Sequence, residues 1–77
     1  MKSRHSPTYR RMLAALREAR EAAGLTQTEA GKVFGGHASF VSKIESGERR
    51  LDVVELASFC RLYSVRLPVF LKSIGLD

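Results

Sequence analysis

The side chains in this sequence that could do chemistry are few, and their spacing argues against catalysis. The 77-residue chain contains two histidines, His5 and His37, and one cysteine, Cys60. Neither histidine has a second ligand at the spacing of a metal site. No serine or cysteine lies in the sequence context of an activated nucleophile, and no glycine-rich phosphate loop follows a strand. The sequence therefore predicts no enzyme, no metal site and no cofactor.

Basic side chains are the other residues that could bind a ligand, and their excess over acidic side chains lies at the N-terminus. The net charge is +5, and five of the 13 basic residues precede the first acid, Glu18. A basic arm suits a polyanion such as nucleic acid, and suits a membrane surface less well because it lacks an apolar face. The alternative for the arm, residues 1–7 with Lys2 and Arg4, is a solvated tail that aids solubility.

Length and composition limit the protein to one soluble domain. A chain of 77 residues cannot divide into two cored units, and 44% apolar with 27% charged residues is ordinary for a folded domain. No apolar run approaches the roughly 18 residues of a membrane span, and no secretory signal follows the basic start. A lone cysteine cannot form an internal disulfide. Together these features predict a cytoplasmic protein.

The spacing of apolar residues predicts an all-α chain, a compact five-helix bundle over residues 8–77. Helices are expected over about residues 8–23, from 27 to the Gly35-Gly36 pair, over 38–46, over 53–63, and from 68 to 73. The second and fourth helices are each predicted to begin with a capping box, Thr26 with Glu29 and Asp52 with Glu55.

Helical spacing also divides residues between core and surface. Arg20 is assigned to the polar side of the first helix. Gly31 costs its helix roughly 1 kcal/mol relative to alanine, and it is expected to allow a close helix approach. Cys60 is predicted to be a buried, unreactive thiol. The predicted core-facing residues are Tyr9, Met12, Leu13, Leu16, Ala19, Ala23, Ala30, Val33, Phe34, Phe40, Val41, Ile44, Val53, Leu56, Cys60 and Tyr63.

The two short helices within residues 27–46 are the candidate functional unit. They are joined by a glycine-containing turn and flanked by longer helices, which is how a helix-turn-helix appears in a sequence. The short turn forces a steep crossing. The second helix can then project into a DNA major groove while the first lies across it.

These residues resemble the phage-repressor type of helix-turn-helix, the Cro-like or Xre family. The resemblance is carried by TQTE at residues 26–29, by Gly35 and by SFVSKIESGERR at residues 39–50, and it covers roughly residues 9–73. It implies a five-helix fold and a DNA-binding transcriptional regulator, mostly dimeric. The chain departs from the family pattern at Ala38, where a glutamine or arginine often reads a base, and at Gly36-His37 and Ala30-Gly31.

The resemblance also implies roles for individual residues. Glu45 matches a position that is structural rather than DNA-contacting. The residues expected to face base edges are Ala38, Ser39, Ser42 and Lys43. The residues expected to contact the DNA backbone are Gln27, His37, Phe40, Arg49 and Arg50.

Each of these assignments has an alternative that the sequence leaves open. Lys43 is otherwise a solvated residue that at most meets a phosphate, and Ser39 otherwise caps its helix. Phe40 is otherwise a packing residue, and His37 a plain turn residue. The alternative for Arg49 and Arg50 is a solvated turn or a pair with Glu48 or Glu45.

The C-terminal segment from Leu67 to Leu76 carries more apolar surface than one short helix can bury. A homodimer through this segment is predicted, because a two-fold axis can space two recognition helices about 34 Å apart, one turn of B-DNA. The predicted interface residues are Leu67, Val69, Phe70, Leu71 and Ile74. Three alternatives remain: a tail that only closes the monomer core, an antitoxin that binds a toxin, and a protein–protein module that has lost DNA reading.

Overall fold

The computed structural model describes residues 6–76, and this part of the chain is helical with no strand. Its helices are α1 (Pro7–Ala22), α2 (Gln27–Val33), α3 (Ala38–Ser46), α4 (Val53–Leu62) and α5 (Leu67–Ser73). The all-α prediction is confirmed, and the predicted ends of α1, α4 and α5 differ from the observed ends by one residue. The predicted arm residues Lys2 and Arg4 lie outside the described residues.

Helices α1, α2 and α4 each begin at a residue whose side chain caps the helix N-terminus. The Ser6 hydroxyl accepts a hydrogen bond from the Tyr9 N–H at 3.1 Å, so the last two residues of the predicted arm form the N-cap and the first position of α1. Thr26 and Glu29 form the predicted capping box of α2, with reciprocal bonds of 3.1 and 2.8 Å. The predicted box of α4 is also present. These bonds satisfy amide donors that a helix N-terminus leaves unpaired.

Each of the helices α1 to α5 is followed by one residue in the left-handed region, and α1, α2, α4 and α5 also share one hydrogen-bonding arrangement. In the Schellman arrangement, the N–H two residues beyond the helix cap returns to a carbonyl in the last turn. The Leu25 N–H bonds to the Arg20 carbonyl at 3.2 Å, and Val65, Gly36 and Leu76 make the equivalent bonds. The left-handed residue is glycine after α1, α2 and α5, but after α4 it is Ser64, with φ of 60°.

Replacing Ser64 with glycine is expected to raise the free energy of unfolding by about 0.5–1 kcal/mol, because a left-handed conformation strains a residue that carries a Cβ. The measurement is urea unfolding at equilibrium. Gly24→Ala is the matched control, since Gly24 has the same place after α1, with φ of 75° and open space around it. That substitution is expected to destabilise. A lower free energy of unfolding for Ser64→Gly would show that Ser64 is not strained in its left-handed conformation.

The core lies where α1, α3 and α4 meet, and its largest fully buried side chains are Phe59, Leu16, Ile44 and Val41. The prediction that Cys60 is buried is confirmed, and burial raises the pKa of its thiol. Three core predictions are wrong: Val33 and Val53 are well exposed, and Ala23 is exposed at the C-cap of α1. All three lie at the end of a helix, where helical spacing continues but no neighbouring element covers the side chain.

Two of the predicted interface residues belong instead to the core of the single chain. Phe70 and Ile74 are buried within the monomer, because α5 packs its inner side against α4. The Ile74 carbonyl also accepts a hydrogen bond from Arg11 of α1 at 3.3 Å. The outer surface of α5 is therefore left with Val69, which is exposed, and with Leu67 and Leu71, which are half-buried.

Candidate nucleic-acid interface

Gly31 sets how closely α2 approaches the start of α3. A Cβ built on Gly31 would lie 2.5 Å from the carbonyl oxygen and 2.8 Å from the carbonyl carbon of His37. Both are backbone atoms, so only glycine fits this distance. The Gly31 carbonyl also accepts hydrogen bonds from the N–H groups of Phe34 and Gly36. The predicted close approach is confirmed, although its partner is the turn before α3.

Helix α3 divides its residues between an inner and an outer side. Val41 and Ile44 are fully buried, whereas Ser39, Ser42 and Lys43 are exposed. Three of the four predicted base-facing residues therefore have side chains open to solvent. Ala38, the fourth, is half-buried and lies with Ser42 along a groove that also contains residues 26–28 at the N-terminus of α2. This arrangement brings Gln27 next to the outer side of α3.

A buried ion pair fixes α3 against α1. Arg20 Nε lies 2.7 Å from Glu45 Oε2, and Arg20 Nη2 lies 3.2 Å from Glu45 Oε1. The side chains are only 10% and 7% exposed. The assignment of Arg20 to the polar side of α1 is thus wrong, while the structural role implied for Glu45 agrees with its contacts. The hydrogen bond that Arg20 donates to Glu45 raises the pKa of Arg20.

The same ion pair also holds the start of α2. Arg20 Nη1 donates to the Leu25 carbonyl at 2.8 Å, and Gln27 Nε2 donates to Glu45 Oε1 at 3.0 Å. Because an ionised carboxylate only accepts hydrogen bonds, the Gln27 amide nitrogen must face Glu45. Three helices are therefore tied together beneath the outer side of α3.

The loop after α3 is held by a second charged pair. Arg49 Nη2 lies 3.1 Å from Glu55 Oε2, and its guanidinium lies 4.8 Å from the centre of the Phe40 ring. The hydrogen bonds from Arg49 and from the Asp52 N–H lower the pKa of Glu55. The predicted alternative partners, Glu45 and Glu48, are wrong for Arg49, because its partner lies in α4.

Arg50 and Phe40 lie against aromatic rings rather than standing free. The Arg50 guanidinium lies 5.0 Å from the centre of the Tyr9 ring, and the Tyr9 hydroxyl accepts a hydrogen bond from the Leu51 N–H at 3.0 Å. Phe40 is half-buried, with its ring centre 5.4 Å from Phe34 and 6.2 Å from Phe59 in the core. The packing alternative for Phe40 therefore accounts for most of its ring.

The N-terminus of α3 has no side-chain cap. His37 occupies the cap position without a capping hydrogen bond from its side chain, and it is exposed. Ser39 does not cap the helix either. Residues 6–76 contain no cluster of histidine, cysteine or carboxylate side chains that could hold a metal ion.

Comparison with known proteins supports the relationship that this geometry suggests. Residues 11–68 match the family described as a helix-turn-helix domain. A solved structure of an XRE-family like protein from Pseudomonas syringae pv. tomato str. DC3000 is 45% identical to this chain. The match covers 87% of this chain and 82% of that chain, with a TM-score of 0.81. The chain belongs to the XRE family of helix-turn-helix domains. No curated protein gives a significant match.

Membership in the XRE family confirms the predicted resemblance and the predicted fold. XRE-type helix-turn-helix domains are those of DNA-binding regulators, which agrees with the outer side of α3. Sequence reasoning missed the depth at which this XRE domain buries Arg20, and it missed the pairing of Arg49 with Glu55. The part of the chain that the structure describes has no helix with the length and apolar character needed to cross a membrane.

Proposed function

We propose that this protein is a sequence-specific regulator that binds double-stranded DNA, occupies an operator and acts as a homodimer. The observation that carries the proposal is the outer side of α3. Ser39, Ser42 and Lys43 are exposed there, while the buried pair beneath them fixes the helix on its scaffold. A recognition helix must present a few groups at a fixed orientation to read base edges.

The side chains on α3 suit a specific set of base contacts. Lys43 can donate to guanine O6 and N7, and the hydroxyls of Ser39 and Ser42 can donate or accept. Ala38 offers a methyl group to the methyl group of thymine. The residues proposed to contact the DNA backbone are Gln27, His37, Phe40, Arg49 and Arg50.

The charge of α3 also supports binding to a polyanion. Glu45 is the acidic residue of this helix, and its carboxylate is neutralised by Arg20 at 2.7 Å. Lys43 therefore remains as the exposed charge on α3. An exposed lysine on a helix whose carboxylate is already paired can release counterions from DNA without that helix repelling its phosphates.

The first experiment selects bound sequences from a random duplex pool at about physiological salt, where the Debye length is roughly 8 Å. Enrichment of a two-fold symmetric site is expected. Binding to that site then compares Lys43→Ala with Lys72→Ala, a matched loss of one exposed lysine on α5. Lys43→Ala is expected to weaken specific binding by about tenfold, since a good base contact contributes roughly 1–3 kcal/mol of discrimination.

Three outcomes would contradict the proposal. Equal effects of the two lysine substitutions would mean that Lys43 adds only charge and reads no base. Bulk binding without an enriched site would mean a non-specific DNA binder. A failure to bind duplex at any salt concentration would favour a protein–protein module on the same fold.

A further inference from the structure

The outer side of α4 lacks charge over its first two turns. Val53 and Val54 are 68% and 71% exposed, and Ala57 and Ser58, which are half-buried, continue the same outer side. The Ser58 hydroxyl bonds back to the Val54 carbonyl at 3.1 Å, so its hydrogen is directed to the helix itself. A solvent-facing helix surface normally carries charged residues. This surface is therefore unusual for one that faces only water.

Other exposed valines of residues 6–76 do not form such a surface. Val33 and Val69 are 60% and 58% exposed, but each is the one well-exposed large apolar residue of its helix, and it lies near an exposed lysine, Lys32 or Lys72. Leu67 and Leu71, which accompany Val69 on α5, are half-buried against the core. Single exposed apolar residues are normal on soluble proteins, whereas contiguous ones mark interaction sites. Val53 and Val54 are adjacent, and Ala57 extends them by one turn.

Charged residues of opposite sign flank the two ends of this surface. Asp52 lies before its N-terminal end and Arg61 follows near its C-terminal end, and both are exposed. Asp52 accepts the Glu55 N–H through Oδ1, which leaves its second carboxylate oxygen for another partner. An acid at one end and a base at the other match a second copy of the same helix that runs in the opposite direction.

We propose that two copies of this chain associate through the outer side of α4, across a two-fold axis near Ala57. Antiparallel pairing places Asp52 of each copy opposite Arg61 of the other, with the valines between them. The small Ala57 side chain at the crossing lets the two helices approach. This inference rests on the proposed homodimer, and it assigns the dimer surface to α4 instead of α5.

A second copy fits this surface better than an unrelated protein does. A two-fold interface is formed by the same patch on both subunits, so the patch must complement itself. A patch with charges of both signs at opposite ends of an uncharged helix surface meets that condition. A patch built for an acidic or a basic partner would carry the opposite sign alone.

The test is sedimentation of the full chain without DNA, over micromolar to millimolar concentrations. Val54→Asp is expected to weaken self-association by about tenfold or more, because it buries an unpaired charge among the apolar residues of the interface. The substituted side chain is exposed in the first turn of α4, where an acid favours the helix, so the variant is expected to fold. Arg61→Glu is expected to weaken the dimer too, since it places two acids opposite each other.

Val33→Asp is the matched control and is expected to leave self-association unchanged. Val69→Asp tests the α5 surface that the sequence suggested. A wild-type chain that is monomeric throughout the concentration range would overturn the proposal, as would a dimer that Val69→Asp dissociates and Val54→Asp does not. Since sedimentation uses no DNA, its result is separate from operator binding, and Lys43→Ala is expected to weaken DNA binding while the dimer persists.

Discussion

Replacing Gly31 with alanine is expected to lower the free energy of unfolding by about 2–3 kcal/mol, the upper part of the roughly 1–3 kcal/mol that overpacking a close contact costs. Helix propensity alone gives the opposite sign, because alanine is favoured over glycine inside a helix by roughly 1 kcal/mol. The steric term outweighs propensity, since the new Cβ would lie 2.5 Å from the His37 carbonyl oxygen. Neither backbone can turn away as a side chain can, so α2 must shift from the turn before α3.

Thermal unfolding followed by circular dichroism measures this effect. Each kcal/mol of lost stability lowers the Tm of a domain this small by roughly 4–8 °C. Gly36→Ala is the matched control, because its Cβ would meet the Phe40 Cβ at an ordinary 3.5 Å. That variant is expected to be close to wild type. A stabilised Gly31→Ala variant would mean that α2 and the turn separate at little cost.

Replacing Glu45 with alanine is expected to cost about 3–5 kcal/mol of stability, because it leaves the buried Arg20 guanidinium without its counter-charge. The same substitution removes the acceptor for the Gln27 amide, at 3.0 Å in the wild type. The orientation of α3 relative to α1 depends on the bonds from Arg20, and its orientation relative to α2 depends on the bond from Gln27. Chemical unfolding at equilibrium gives the size of the loss.

Arg17 and Glu21 provide the comparison for this prediction. They form an ion pair within α1 at 3.2 Å, but their side chains are 64% and 53% exposed. Glu21→Ala is therefore expected to cost only about 0.3–0.5 kcal/mol. The double variant Arg20→Met with Glu45→Leu is expected to be more stable than Glu45→Ala, since it leaves no unpaired charge in the core. A double variant less stable than Glu45→Ala would contradict this account.

The helix starts could be predicted because their signals are local. The capping boxes at Thr26 and Asp52 each join residues three apart, so the whole interaction is visible in four letters of sequence. The close approach at Gly31 could also be anticipated. Glycine destabilises the interior of a helix, so its presence there indicates a close contact that a larger side chain would block. The family resemblance rests on this same local stretch, residues 26–50.

The burial of Arg20 could not be predicted, because its partner Glu45 lies 25 residues away in the chain. Nothing in the sequence distinguishes Arg20 from the exposed charged residues of α1. The exposure of Val53 shows the opposite error, in which an apolar residue at core spacing projects past the end of the packed region. Periodicity reports the direction of a side chain and says nothing of whether another element covers it.

Because Cys60 is buried, the rate at which its thiol is modified can report transient opening of the core. Its thiol is the single one in the chain, it is buried on α4, and this burial raises its pKa. A thiol reagent can therefore reach it only when the core opens. When closing is fast relative to modification, the rate of labelling gives the free energy of the opening that exposes α4. Operator DNA that stabilises the folded chain would slow labelling in proportion.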